Sequence, residues 1–227
     1  MIEIKNLTKY YKKKKAIENL SISIPDNSIF GFLGCNGAGK TTTLSIIAGL
    51  VKKDKGNIKA FEIDLDKDPE GLKKSMGVMI QEMELFGHLT ARKNIEFLKK
   101  LKNSDEDIVE LFKNFDLEYI LDKKYKNLSH GEKRLLQIMQ SFLGKPKLVI
   151  LDEPISGFDP RKIIMIREFI KKKKKDTTII LSSHNLDEVD RICSHIAIIH
   201  EGKIVLSGEK KKIKKRKTLE KVFLENI

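Results

Sequence analysis

GFLGCNGAGKTTTL, residues 31–44, decides how the rest of the chain is read. Gly34, Gly37, Gly39, Lys40 and Thr41 fall on the G-x-x-x-x-G-K-[ST] spacing of a phosphate-binding loop. The apolar run Ser28–Leu33 predicts a strand entering the loop, and Thr42–Leu50 predicts a helix leaving it. Glycines let the backbone curl until several N–H groups face one anion. The helix N-terminus adds its partial positive charge. Lys40 is placed to reach the β- and γ-phosphates of a nucleotide, and the Thr41 hydroxyl to ligate Mg2+. Asn36, Ala38 and Thr42 complete the loop residues expected against the nucleotide. A glycine-rich turn without function accounts for the glycines, but not for Lys40 and Thr41 between a strand and a helix.

Outward from the loop, the pattern alternates between strand and helix. Residues 2–6 and 20–24 predict short strands around a basic turn, and Pro25-Asp26-Asn27 ends the second. Asn57–Phe61 predicts a strand, Asp64–Lys74 a polar segment and helix, and Gly77–Gln81 a strand. From Thr90 to Tyr125, apolar residues such as Ile95, Leu98, Leu111 and Phe115 recur at helical spacing. A long helix after Gly131 closes at Gly144-Lys145-Pro146. Strands at Leu148–Leu151, Thr177–Ser182 and Ile196–His200 then alternate with helices at Ile163–Ile170 and Leu186–Cys193, and Lys203–Leu206 closes a hairpin. Such alternation predicts an α/β fold with a mostly parallel sheet, whose ligands sit at the carboxyl ends of the strands.

That places three polar clusters on one rim: Lys40 and Thr41, Asp152 and Glu153, and His184. In KLVILDEP, four apolar positions run straight into Asp152 and Glu153. Asp152 suits Mg2+, and Glu153, one residue on, suits a water attacking the γ-phosphate. In isolation Asp-Glu-Pro would read as an acidic surface turn; after LVIL, in a chain with a phosphate loop, it reads as a hydrolytic pair. His184 ends IILSSH and could contact the γ-phosphate or the same water. Gln81 ends VMIQ and could offer its amide oxygen to Mg2+ or water. Position alone leaves both open to being ordinary polar strand ends.

The full set, in this order, resembles the nucleotide-binding domain of ATP-binding cassette (ABC) transporters. The resemblance rests on GCNGAGKT, on Gln81 in IQEMELFGHLT, on LSHGEKRL at 128–135, on LDEP at 151–154, on SGFDP at 156–160 and on SSH at 182–184. It spans about residues 1–208 and implies a P-loop NTPase core with N-terminal antiparallel strands and a helical subdomain inserted at about 82–144; residues 209–227 form a basic amphipathic tail. It implies Tyr11 as the aromatic stacked on adenine, with Tyr10 the weaker choice. It implies catalysis by Glu153, His184, Gln81 and Lys40, with Mg2+ on Thr41, Gln81 and Asp152. It further implies that two cassettes dimerise head to tail. Ser129, His130 and Gly131 would then close on the partner's ATP, Asp159 would join the two sites, and hydrolysis would drive a separate membrane permease. The segments LFGHLTARKNIEFLKKL and NLDEVDRIC look exporter-like, and no regulatory domain follows, so export is expected over import. A cytoplasmic, peripheral place on the cell membrane is the implied setting.

Composition agrees with that reading and narrows the alternatives. At 227 residues the chain can bury a proper core. It opens without a secretory pattern, and no uncharged apolar run approaches the roughly 20 residues of a membrane span. Its two cysteines form no disulfide framework and no paired metal motif. The net charge of +13 is concentrated at Lys12–Lys15, Lys171–Lys175 and residues 209–221, where Ile213, Leu219, Val222 and Phe223 offer apolar anchors. Such a surface suits an anionic membrane face, a nucleic acid or simply solvent. Few aromatics accompany the lysines, so a base-stacking platform is not expected, nor nucleic acid as a partner. A soluble cassette acting on ribosomes or nucleic acid is the alternative. It would ordinarily carry two cassettes or a long coiled-coil insert, and the insert here is short.

The family pattern is not met everywhere. His130 stands in place of glycine, Glu132 in place of glutamine, Leu135 in place of arginine and Ile155 in place of threonine. A β-carbon at 130 is expected to restrict the signature loop, and the changes at 130, 132 and 135 together to make dimer closure slower or asymmetric without abolishing activity. Cys35 replaces the usual loop proline, which puts a thiol beside the phosphates. A bulky maleimide on Cys35 is expected to block ATP binding, and ATP to protect the thiol. Equal labelling with and without ATP, read by mass spectrometry, would mean that the side chain points away.

Overall fold

In the computed structural model, residues 1–80 and 83–227 are described. The N-terminal pair is longer than the sequence pattern indicates. β1 (Ile2–Tyr11) and β2 (Lys14–Ile24) form an antiparallel hairpin whose turn is only Lys12-Lys13, with Lys12 in the left-handed region at φ 55°. Lys12–Lys15 are all exposed, and the buried positions of β2 begin beyond them, at Ile17 and Leu20. β4 (Lys55–Ala60) and β5 (Ile63–Asp64) complete an antiparallel sheet in the order β2-β1-β4-β5.

The second sheet runs β10-β9-β3-β8-β7-β6. It contains β3 (Ile29–Leu33), β6 (Met76–Met79), β7 (Leu148–Leu151), β8 (Thr178–Ser183), β9 (His195–His200) and β10 (Lys203–Glu209). All pairings are parallel except β9 with β10. Both faces of its central strands are buried, as expected of a parallel sheet covered on each side. Ile29, Val149, Leu151, Ile179 and Leu181 face one core, and Phe30, Phe32, Leu148, Ile150 and Ile180 face the other. The second core is shared with the antiparallel sheet and with α1 (Lys40–Ile47).

The first core gathers the remaining helices except the first of them, whose buried Leu72 belongs to the second core. α2 (Pro69–Lys74) leads into β6, and α3 (Ala91–Lys102) and α4 (Ile108–Lys113) follow it. Each is capped by the residue its sequence offers: Asp68 accepts from the Gly71 N–H, Thr90 from Lys93 and Asp107 from Glu110. α5 (His130–Ser141) starts at Ser129. α6 (Pro160–Lys173) is longer than its apolar pattern because Asp159 caps it, Pro160 opens it, and lysines in its last turn complement the helix dipole. α7 (Leu186–Ile192) is capped by Asn185.

The C-terminal segment is fastened to the body rather than free. It forms α8 (Lys210–Lys214) and α9 (Leu219–Leu224). Leu219 and Val222 are buried, with Ile213 and Phe223 packed behind them in the same core as α7. Asp190 of α7 pairs with Lys210 at 3.3 Å and Lys214 at 2.6 Å. The residues expected as external anchors are therefore committed inward, because α7 leaves an apolar face that they cover. No described helix is long and apolar enough to cross a membrane.

α5 packs on β6 with almost no clearance. A β-carbon on Gly77 would lie 1.5 Å from the Ser141 carbonyl oxygen, whereas one on Gly87 would meet only the Lys126 β-carbon, at 3.5 Å. Gly77→Ala must push helix from strand. It is expected to cost about 3 kcal/mol, whereas Gly87→Ala should stay within about 0.5 kcal/mol, both measured by urea denaturation.

Candidate nucleotide site

β3, β7 and β8 are parallel neighbours or near neighbours, so their carboxyl ends open on one rim. The phosphate loop leaves β3, Asp152 and Glu153 follow β7, and His184 follows β8. The loop turns into α1 at Gly39, whose φ of 104° only glycine adopts without strain. α1 begins at Lys40 rather than at Thr42, so the lysine belongs to the first helical turn.

Lys40 is buried and directs its ammonium into the loop. Nζ donates to the carbonyl oxygens of Gly34 at 2.6 Å and Cys35 at 3.1 Å, and lies 3.8 Å from Glu153 Oε1. Burial lowers its pKa, and the carboxylates of Glu153 and Asp152 partly restore it. Asp152 has no exposed surface. Its two oxygens accept the Thr41 hydroxyl at 2.8 Å and the Ser182 hydroxyl at 2.5 Å. Glu153 has φ 52°, a left-handed backbone for a residue with a β-carbon. Its N–H donates to Ser182 Oγ at 2.9 Å, and its Oε2 lies 2.9 Å from His184 Nδ1. Toward an ionised carboxylate, which only accepts, Nδ1 is the donor nitrogen of that contact.

Lys40, Thr41 and Glu153 line a cavity of about 620 Å³, together with Asn36, Gly37, Gly39, Thr42 and Tyr11. That volume is on the scale of small-ligand sites. Tyr11 is half exposed, with Lys9 Nζ 5.5 Å from its ring centre; Tyr10 does not line the cavity. Ala38 is buried behind the loop and Gly34 lies at its base. The Cys35 side chain is exposed and is not among the lining residues. Gln81 lies outside the described residues. The oxygen donors of Asp152 and Thr41 are the kind a hard divalent cation takes. Among the described residues there is no group of three or more His, Cys, Asp or Glu to cage a metal. A cation here would be completed by phosphate and water, the usual habit of Mg2+.

Ser129, His130 and Gly131 do not reach this cavity. They form the start of α5, where Ser129 Oγ accepts from the Glu132 N–H at 3.3 Å and Glu132 Oε2 accepts from the Ser129 N–H at 2.6 Å. Glu132 thus completes a reciprocal cap. Burial alone would raise its pKa, but bonds from the Ser129 N–H, the Ser129 hydroxyl and Tyr119 hold it low. The backbone restriction expected of His130 does not arise. His130 is not among the residues with positive φ, and the first helical position accepts any residue with a β-carbon. Only the bulk of its exposed ring remains. Leu135 is buried in the core, and its neighbour Arg134 donates to the Glu153 carbonyl. Asp159 is exposed and caps α6 through the Lys162 N–H at 3.0 Å. Sequence reasoning missed Ser182 and Arg134. Ser182 was signalled by two hydroxyls ending an apolar strand; nothing local singles out Arg134.

Comparison with known proteins places this geometry. Residues 17–156 match the family model described as ABC transporter. The chain is 35% identical over 212 residues to the bacitracin transport ATP-binding protein BcrA of Bacillus licheniformis, covering 90% of this chain and 68% of that one. A solved ATP-binding subunit of an ABC transporter superposes with a TM-score of 0.91 at 27% identity, over 99% of this chain and 98% of that one. The cassette MJ0796, solved as a dimer in a post-hydrolysis state bound to ADP and Pi, shares the fold with a TM-score of 0.83 at 24% identity, over 92% and 98%. The chain belongs to the ABC transporter family, as an ATP-binding and ATP-hydrolysing subunit.

Proposed function

We propose that this chain powers export through a separate membrane-spanning subunit, as one of two cassettes that close on ATP, and that Glu153 is its catalytic carboxylate. The observation that carries the catalytic assignment is the convergence on Glu153. His184 holds one carboxylate oxygen at 2.9 Å, Lys40 faces the other at 3.8 Å, and Ser182 fixes the backbone N–H at 2.9 Å. A carboxylate so held can orient a water and take its proton. Lys40 offers a buried ammonium to the β- and γ-phosphates, and the loop amides from Gly34 to Thr42 surround them. Thr41 and Asp152, with Gln81, would hold Mg2+, which when bound neutralises charge on the phosphate oxygens. Tyr11 gives adenine a flat face at the cavity mouth.

The start of α5 lies outside its own chain's cavity, which supports its use in trans. Its free N–H groups are an anion site that a second cassette's nucleotide would fill. The dimeric state of MJ0796 and the transport role of BcrA support the same assembly, with residues 1–208 as the ATPase unit and 82–144 as its helical subdomain. We place the pair on the cytoplasmic face of the membrane, with cargo chosen by the permease.

Glu153→Gln is expected to keep ATP binding and lower turnover by about 100-fold or more. Loaded with MgATP and mixed with detergent-solubilised membranes, that variant should retain a multi-span protein, identified by mass spectrometry, that a Gln81→Ala control does not. Ribosomal proteins or nucleic acid on the beads instead would replace the exporter reading by the soluble one. His130→Gly removes the ring from the closing surface and should raise ATP turnover about twofold; an unchanged rate would remove steric closure as a constraint.

A further inference from the structure

Glu153 is held from two directions, and only one of them belongs to the sheet. Its N–H is fixed by Ser182 of β8. Its backbone carbonyl accepts a hydrogen bond from Arg134 Nη2 of α5. Between these two bonds the residue keeps its left-handed φ of 52°, a conformation that costs on the order of 1 kcal/mol and persists only where neighbours enforce it. The peptide that carries the carboxylate is therefore set jointly by the sheet and by α5.

The Arg134 guanidinium is in an uncommon situation. Burial lowers its pKa, against the pull of Glu153 and Asp152. Among the described residues it makes no ion pair within 4.0 Å, and its Nε is buried without a partner. Its charge lies over the ring of Phe158, 6.0 Å from the ring centre, beside Asp159 in the loop expected to cross the dimer. A half-buried arginine bonded to a carbonyl instead of a carboxylate contributes little as a stabilising contact. It makes sense as a connector. Arg134 lies five residues after Ser129, about 7.5 Å along the same helix. The N-terminus of α5 is the part proposed above to meet the partner's nucleotide. The rest of α5 is fixed to β6, where Gln140 Nε2 donates to the Val78 carbonyl at 2.8 Å.

We infer that Arg134 is a positioning residue that makes the orientation of Glu153 depend on where α5 sits, so that engagement of α5 with the second cassette's ATP sets the catalytic carboxylate of its own site. The inference rests on the assignment of Glu153 and on the paired cassette. The mechanical content is specific. When α5 shifts, the Glu153 carbonyl follows through Arg134, Phe158 follows through the stacked guanidinium, and the carboxylate changes its aim while Lys40 and the phosphate loop stay in place. Arg134 thus acts on turnover and on the coupling of two sites, not on nucleotide affinity.

The test compares Arg134→Met, Arg134→Gln and Arg134→Lys in the full-length chain. ATP turnover against ATP concentration, binding of a fluorescent ATP analogue and thermal melting are read in parallel. Arg134→Met should lower kcat about tenfold, a loss of one hydrogen-bond's worth of transition-state stabilisation. The analogue's Kd should stay within twofold and the Hill coefficient fall toward 1. Arg134→Gln and Arg134→Lys, which keep a donor, should recover part of kcat. Combined with Glu153→Gln, Arg134→Met should still give the ATP-trapped dimer on size exclusion. An unchanged kcat and Hill coefficient would overturn the inference. So would a kcat loss that tracks the melting temperature equally in all three variants, which would mark Arg134 as a packing residue only. If Arg134→Met does not fold, Arg134→Gln and Arg134→Lys are each compared with the unsubstituted chain: a kcat loss without a matching loss in melting temperature supports the inference, and an unchanged kcat overturns it. Failure of the underlying assignment looks different: Glu153→Gln alone would retain turnover, or would never yield a trapped dimer, whatever residue 134 is.

Discussion

Asp152 is a carboxylate with no solvent contact, and the site is organised around keeping it satisfied. An ionised carboxylate inside protein costs several kcal/mol unless its oxygens are hydrogen-bonded. Here one hydroxyl comes from Thr41 at the start of α1 and the other from Ser182 at the end of β8. Those bonds tie together the three strand ends that make the rim. Ser182 also receives the Glu153 N–H, so the same hydroxyl that satisfies Asp152 aligns its neighbour. Displacing any of the three elements would leave a buried charge unpaired. The parallel order of β3, β8 and β7 is what brings the hydroxyls within reach.

α5 is the second organising element, and it works at both ends. At its start, Glu132 and Ser129 satisfy each other's backbone donors, which fixes the entry of the helix. A glutamine at 132 could make the same cap without the charge; glutamate makes it with a charge-assisted bond and sits favourably on the dipole. In mid-helix, Arg134 reaches the Glu153 carbonyl while Leu135, its neighbour, fills the core. The signature segment departs from the family pattern at single positions, yet the helix has a cap, a buried leucine face and an arginine contact to Glu153.

The lysine excess has several local explanations. Lys171–Lys173 lie in the last turn of α6, where positive charge meets the carbonyl end of the helix. Lys210 and Lys214 neutralise Asp190 and hold the C-terminal helices onto α7. In the N-terminal hairpin, Lys9 and Lys15 face the Tyr11 and Tyr10 rings at 5.5 and 5.9 Å. A charge run read as one block along the sequence is thus split among separate faces once the chain is folded.

Most of the fold and the chemistry of the phosphate loop were legible in the sequence, because they depend on short-range order. Period-two and period-3.6 hydrophobicity, glycine spacing around Lys40, and an apolar strand running into Asp152 each operate within a few residues. Strand lengths, the inward commitment of Leu219 and Val222, and the extent of α6 were misjudged for the same reason. They are set by what α7, the hairpin partner and the Asp159 cap provide at a distance. The sequence alone determined where the phosphate-loop pattern, the paired carboxylates and the strand-end histidine fall along the chain. Only tertiary structure decided that Ser182 bridges Asp152 and Glu153, that His184 meets Glu153, that Ser129 stays out of its own chain's cavity, and that Arg134 reaches the Glu153 carbonyl. These contacts join residues up to tens of positions apart. No local pattern encodes them, because hydrogen bonds and burial depend on which surfaces the folded sheet brings face to face.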